Sequence, residues 1–80
     1  MPKVLDINGF KFYFFSHEPN EPAHIHIDKA GSTAKFWLLP IELARNIGFN
    51  AKELKEIRLL IEEHQQGFLE AWYGYFGTKR

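Results

Sequence analysis

The sequence predicts an α+β domain: a four-stranded antiparallel sheet built from two consecutive β-hairpins, followed by a short and a long helix packed on one face. Three observations carry this expectation. Two stretches in the first half alternate apolar and polar residues around glycine-containing turns, the period-two signature of strands with one buried face. The second half spaces apolar residues three and four apart behind a strong helix-start signal. The chain has 80 residues, enough for one hydrophobic core, so residues 1–80 are read as a single domain.

The first hairpin is Val4-Leu5-Asp6-Ile7, the turn Asn8-Gly9, and Phe10-Lys11-Phe12-Tyr13-Phe14-Phe15. Asn-Gly favours the type I′ turn that matches strand twist. It sets Ile7 opposite Phe10, Asp6 opposite Lys11, Leu5 opposite Phe12 and Val4 opposite Tyr13. Leu5, Ile7, Phe10, Phe12 and Phe14 then share an apolar face. Ser16 to Ala23, with two prolines, reads as a loop. The second hairpin joins His24-Ile25-His26-Ile27-Asp28 to Thr33-Ala34-Lys35-Phe36-Trp37-Leu38 through Lys29-Ala30-Gly31-Ser32. Its register pairs His24 with Trp37 and His26 with Lys35. Ile25, Ile27, Ala34 and Phe36 face the core, while His24, His26, Asp28, Thr33, Lys35 and Trp37 face away from it.

Pro40 suits the first turn of a short helix over Ile41 to Asn46, with Gly48 as its left-handed cap. The long helix starts at Asn50 as N-cap, with Glu53 completing a capping box and Phe49 and Leu54 forming a hydrophobic staple. Leu54, Ile57, Ile61, His64, Phe68, Trp72 and Tyr75 form one stripe. Lys55, Glu56, Glu62, Glu63, Gln66 and Glu70 lie away from it. Gly74, Gly77 and Lys79-Arg80 predict a fraying end.

Composition narrows the function. Hydrophobic residues make up 45% of the chain and aromatics 16%, enough to build a core at this size. There is no cysteine, so neither a disulfide framework nor a thiolate metal site is expected, and the reading is of a soluble cytoplasmic protein. No signal peptide or membrane-spanning run is apparent. Formal charge is zero, with basic and acidic residues balanced in each half. Phosphate-driven nucleic-acid binding depends on clustered Lys and Arg, so it is disfavoured.

The polar face of the second hairpin holds the candidate chemistry. His24 and His26, beside Lys35, supply the parts that metal-independent RNA cleavage needs: an acid, a base and a cation for the phosphorane. Tyr13, Phe15 and Trp37 on the same face could stack bases. A His-x-His metal site continued by Asp28, or joined by His17, is a further reading. Lys35 opposite His26 opposes it, and about 13 Å of strand separates His24 from Asp28. No metal and no cofactor are therefore expected. His64, inside the apolar stripe, reads as a core histidine held by one hydrogen bond. Tyr13, Phe15 and Trp37, with Leu59, Leu69, Tyr73 and Phe76 outside the main helix stripe, form the aromatic surplus of a protein interface.

Phe12-Tyr13-Phe14-Phe15, the segment Glu21-Pro22-Ala23-His24-Ile25-His26-Ile27 and Ala34-Lys35-Phe36-Trp37-Leu38 form one recognisable set. Pro40 to Phe49, Lys52-Glu53-Leu54 and Glu63 to Trp72 extend it over nearly the whole chain. Together they resemble a family of small bacterial proteins, domain of unknown function 4160. The resemblance implies a stand-alone short protein, often encoded beside another small protein in an arrangement similar to toxin–antitoxin pairs. It carries no established catalytic residues. Asp28, where the family more often has a basic or small residue, makes the polar face less positive. The leading expectation is a protein-interaction module acting as a homo-oligomer or with a small operon-encoded partner, through Tyr13, Phe15 and Trp37. The alternative is a nucleic-acid-processing toxin using His24, His26 and Lys35.

Overall fold

A computed structural model of the chain describes residues 3–14 and 21–76. They form an α+β fold: five antiparallel strands in sequential order, then one C-terminal helix. The strands are β1 (Lys3–Ile7), β2 (Phe10–Tyr13), β3 (His24–Lys29), β4 (Ser32–Leu38) and β5 (Ile41–Ile47), and the helix is α1 (Ala51–Phe76). Sequential antiparallel order lets neighbouring strands join through short turns, as at Asn8-Gly9, Ala30-Gly31 and Leu39-Pro40.

Both glycine turns form as their residues dictate. Asn8 and Gly9 take φ of 55° and 83°, and Ala30 and Gly31 take 51° and 87°, the left-handed pair of a two-residue hairpin. The pairings Ile7 with Phe10, Asp6 with Lys11 and Leu5 with Phe12 hold. The expected partner of Tyr13 changes from Val4 to Lys3, because the register shifts between Lys3 and Leu5. In the second hairpin His24 faces Trp37 and His26 faces Lys35, as expected.

The expected short helix over Ile41 to Asn46 is instead the fifth strand, and α1 is the single helix of the described residues. Leu39-Pro40, joined by a cis peptide bond, occupies the turn between the paired residues Leu38 and Ile41. Pro40 therefore reverses the chain rather than opening a helix. A one-turn helix makes few internal hydrogen bonds, whereas the open edge of β4 offers a partner along the whole segment. Gly48 accordingly caps no helix; with φ of 101° it bends the chain out of the sheet.

The apolar face of the sheet and one stripe of α1 enclose the core. Phe10, Phe12, Phe14, Ile25, Ile27, Ala34, Phe36 and Leu38 pack with Phe49, Ile57, Leu60, Ile61, Phe68 and Trp72. The Phe12 ring stacks on Phe68 at 5.4 Å, and Phe14 meets Trp72 edge-on at 5.3 Å. Leu60 joins the expected stripe, while Lys55, Glu56, Glu62, Glu63, Gln66 and Glu70 are exposed as the spacing requires. Gly74, expected to fray, lies within the helix; the side chains of Tyr75 and Phe76 lie outside the described residues.

The helix start is well satisfied. Asn50 Oδ1 accepts from the Glu53 amide at 2.8 Å, and Glu53 Oε1 accepts from the Asn50 amide at 3.0 Å. This is the reciprocal capping box read from the sequence. Asn50→Ala is expected to cost about 1 kcal/mol, read as a drop in the urea midpoint at unchanged slope. No helix of the described residues is long and apolar enough to cross a membrane.

Candidate functional site

Strand register lays three rows of side chains across the sheet face that points away from the core. One row is Lys11, Asp28, Thr33 and Ile47; the next is Tyr13, His26, Lys35 and Arg45; the third is His24, Trp37 and Glu42. Residues directly opposite in antiparallel strands have Cβ atoms about 5 Å apart, so each row sets its side chains next to one another.

The rows knit together around the two histidines. His26 stacks on the Tyr13 ring at 5.5 Å, and Tyr13 Oη donates to Asp28 Oδ1 at 3.0 Å. The His24 ring meets His26 at 5.1 Å and Trp37 at 5.7 Å, both edge-on. Trp72, reaching from α1, lies 4.7 Å from the His24 ring. His24 Nδ1 sits 2.9 Å from the Pro22 carbonyl oxygen. A carbonyl only accepts, so Nδ1 carries the proton and donates. Lys35 Nζ donates to Glu21 Oε1 at 2.6 Å and lies 4.7 Å from the centre of the Trp37 ring. The same carboxylate oxygen is 3.7 Å from His24 Nδ1.

The fold thus brings together Tyr13, His24, His26, Lys35 and Trp37. Phe15 and His17 lie outside the described residues. The face is less open than its polarity implies: His24 is 0% exposed, and His26 and Tyr13 are each 8% exposed. Lys35 and Trp37 are half-buried, and the surface widens to exposed residues only at β5. Proton transfer to a nucleic acid requires an imidazole nitrogen within hydrogen-bond reach of the substrate. Both rings lie beneath their neighbours, one ring nitrogen of His24 is committed to Pro22, and Lys35 is neutralised by Glu21. Among the described residues, no three His, Cys, Asp or Glu side chains gather to hold a metal ion.

His64 is half-buried beside Phe68, its ring 5.9 Å away, and the neighbouring Gln65 makes the polar link to the sheet. Gln65 Nε2 donates to the Leu38 carbonyl at 2.6 Å. Three structural partners escape a reading by motif. Glu21 is paired with Lys35 across the loop and the hairpin. Asn46 brackets Phe49, accepting from its amide at 3.1 Å and donating to its carbonyl at 3.0 Å. Trp72, expected only as core, also closes over His24. The one available signal was Glu21, an acidic residue just ahead of a histidine row that also holds a lysine.

No curated protein and no solved structure matches the chain. The family model for a domain of unknown function (DUF4160) matches residues 9–73, which take in β2 to β5 and all but the last residues of α1. The polar face described above is therefore that of a DUF4160 protein, the family to which this chain belongs.

Proposed function

We propose that the chain is a small protein-interaction module that docks a partner through the β5 side of its sheet, in a pairing of the toxin–antitoxin-like kind. The observation that supports this most is the exposure of β5. Every residue from Glu42 to Ile47 is exposed, including Leu43 at 43% and Ile47 at 52%. Edge strands of stable monomers are commonly shortened or covered, and an uncovered apolar edge invites another strand. Half-buried Trp37 and Lys35 adjoin this edge and supply an aromatic anchor beside it. The nuclease alternative draws on the juxtaposed imidazoles alone, and their burial works against it.

The test is whether the chain forms a complex through this edge, either with a second copy of itself or with any small protein encoded beside its gene. The expected result is one stoichiometric complex in which the β5 amides that point away from β4 become protected from hydrogen exchange. Leu43→Lys should weaken that complex about tenfold or more while leaving the fold intact, since it places a charge in the contact. Failure to form any complex, with RNA cleavage that His26→Ala abolishes, would replace this reading with the nuclease one.

A further inference from the structure

We infer that the occupant of the β5 edge is a second copy of this chain, paired antiparallel about a two-fold axis beside Leu43; this rests on the interaction reading above. The inference comes from an irregularity in β5. Lys35 pairs with Arg45 and the next residue, Phe36, pairs with Leu43, so Ala44 is an extra residue bulged out of the ladder. In an unbroken strand, Glu42 and Arg45, three apart, would point to opposite faces. The bulge returns them to the same one. Glu42 stands beside Trp37 and Arg45 beside Lys35, all on the face away from the core.

Neither charge is paired among the described residues. Glu42 and Arg45 are both exposed. Arg45 instead faces Lys35, a like charge already taken up by Glu21. Arg45 thus has a cation as its cross-strand neighbour and, among the described residues, no strand on its other side.

A symmetric strand pair must set each side chain opposite one on the same face. With the dyad beside Leu43, Glu42 of each copy lies next to Arg45 of the other, and the two Leu43 side chains meet on the helix side. Two ion pairs and one apolar contact form together. Sliding the copies toward the start of β5 sets Glu42 against Glu42. Sliding them the other way sets Arg45 against Arg45. The charge pattern therefore selects one register, and selects this chain's own edge as its complement. The result is a continuous sheet across both copies, with both helices on one side.

Charge reversal tests this with its own control. The wild-type chain is expected to be a dimer by light scattering, with the β5 amides that point away from β4 protected from exchange. Glu42→Arg alone, or Arg45→Glu alone, creates like-charge pairs at both symmetric positions. Each should weaken self-association about ten- to a hundredfold. Because both sites are exposed, the circular dichroism spectrum should match the wild type, as should the melting temperature at a concentration low enough that every chain is monomeric. Mixing the two single variants in equal amounts restores both ion pairs and should return a mixed dimer. A wild type that stays monomeric at millimolar concentration overturns the inference, as does a dimer that neither reversal weakens. If the chain is monomeric but still forms the neighbour-protein complex lost in Leu43→Lys, the interaction reading stands and only the choice of occupant fails.

Discussion

Trp72→Ala is expected to lower the stability of the folded chain by about 3–5 kcal/mol. A domain of this length has about 4–12 kcal/mol to lose, so much of the population should unfold near physiological temperature. The indole is 2% exposed and holds two parts of the sheet at once. On one side it meets Phe14 edge-on at 5.3 Å; on the other it lies 4.7 Å from the His24 ring. Removing it leaves a void at the end of α1 that neither neighbour fills, and opens the most deeply buried imidazole to water. The void loses both transfer free energy and dispersion contacts. Phe68, one helical turn earlier, stays stacked on Phe12, so the middle of the helix should remain docked. Trp72→Phe keeps an aromatic ring against Phe14 and should cost about 1–2 kcal/mol. Chemical denaturation followed by far-ultraviolet circular dichroism reads both changes. A loss below about 1 kcal/mol for Trp72→Ala would mean that this part of the helix is not seated on the sheet as described.

The two hairpins were legible because their turns are local. Asn8-Gly9 and Ala30-Gly31 both adopt positive φ, and a two-residue turn determines the register on either side. The capping box was legible for the same reason, its two hydrogen bonds spanning residues 50 to 53. The fifth strand was not. The bulge at Ala44 breaks the alternation begun by Ile41 and Leu43, and the resulting spacing to Ile47 imitates a helical turn. Pro40 is equally at home at a helix start and in a turn; the choice falls to the free edge of β4, which no local pattern announces. The candidate site divides in the same way. The row pairings His24 with Trp37 and His26 with Lys35 follow from the turn, whereas the burial of those rings does not. Trp72 closes over His24 from nearly fifty residues further along the chain, and the helical stripe identifies it only as a core residue. An exposed polar row and a covered one look alike until the element that covers it is placed.

Gly48→Ala is expected to cost about 2–4 kcal/mol, from two separable causes. The first is conformational. Gly48 sits at φ of 101°, beyond the left-handed well that an L-residue tolerates, at the point where the chain leaves β5 for the helix. The second is steric. A β-carbon there would lie 2.5 Å from Ser32 Oγ, 3.1 Å from Ser32 Cβ and 3.4 Å from Ser32 Cα. Rotating the hydroxyl relieves the first of these contacts but not the tight one to Ser32 Cβ, which is fixed to the start of β4; the approach to Cα is ordinary contact. Ser32→Gly in the same chain removes the steric cause and retains the conformational one. Gly48→Ala should therefore cost about 1 kcal/mol less in that background, and the remainder measures the strain. Gly67 supplies the opposite case. It is exposed within α1, and a β-carbon there meets nothing within 4 Å. Gly67→Ala should stabilise the chain by about 0.5–1 kcal/mol through helix propensity alone. Melting temperatures should thus move in opposite directions for one substitution at two glycines. Equal shifts would show that the bend at Gly48 is not held against Ser32, and with it the path by which β5 hands the chain to the helix.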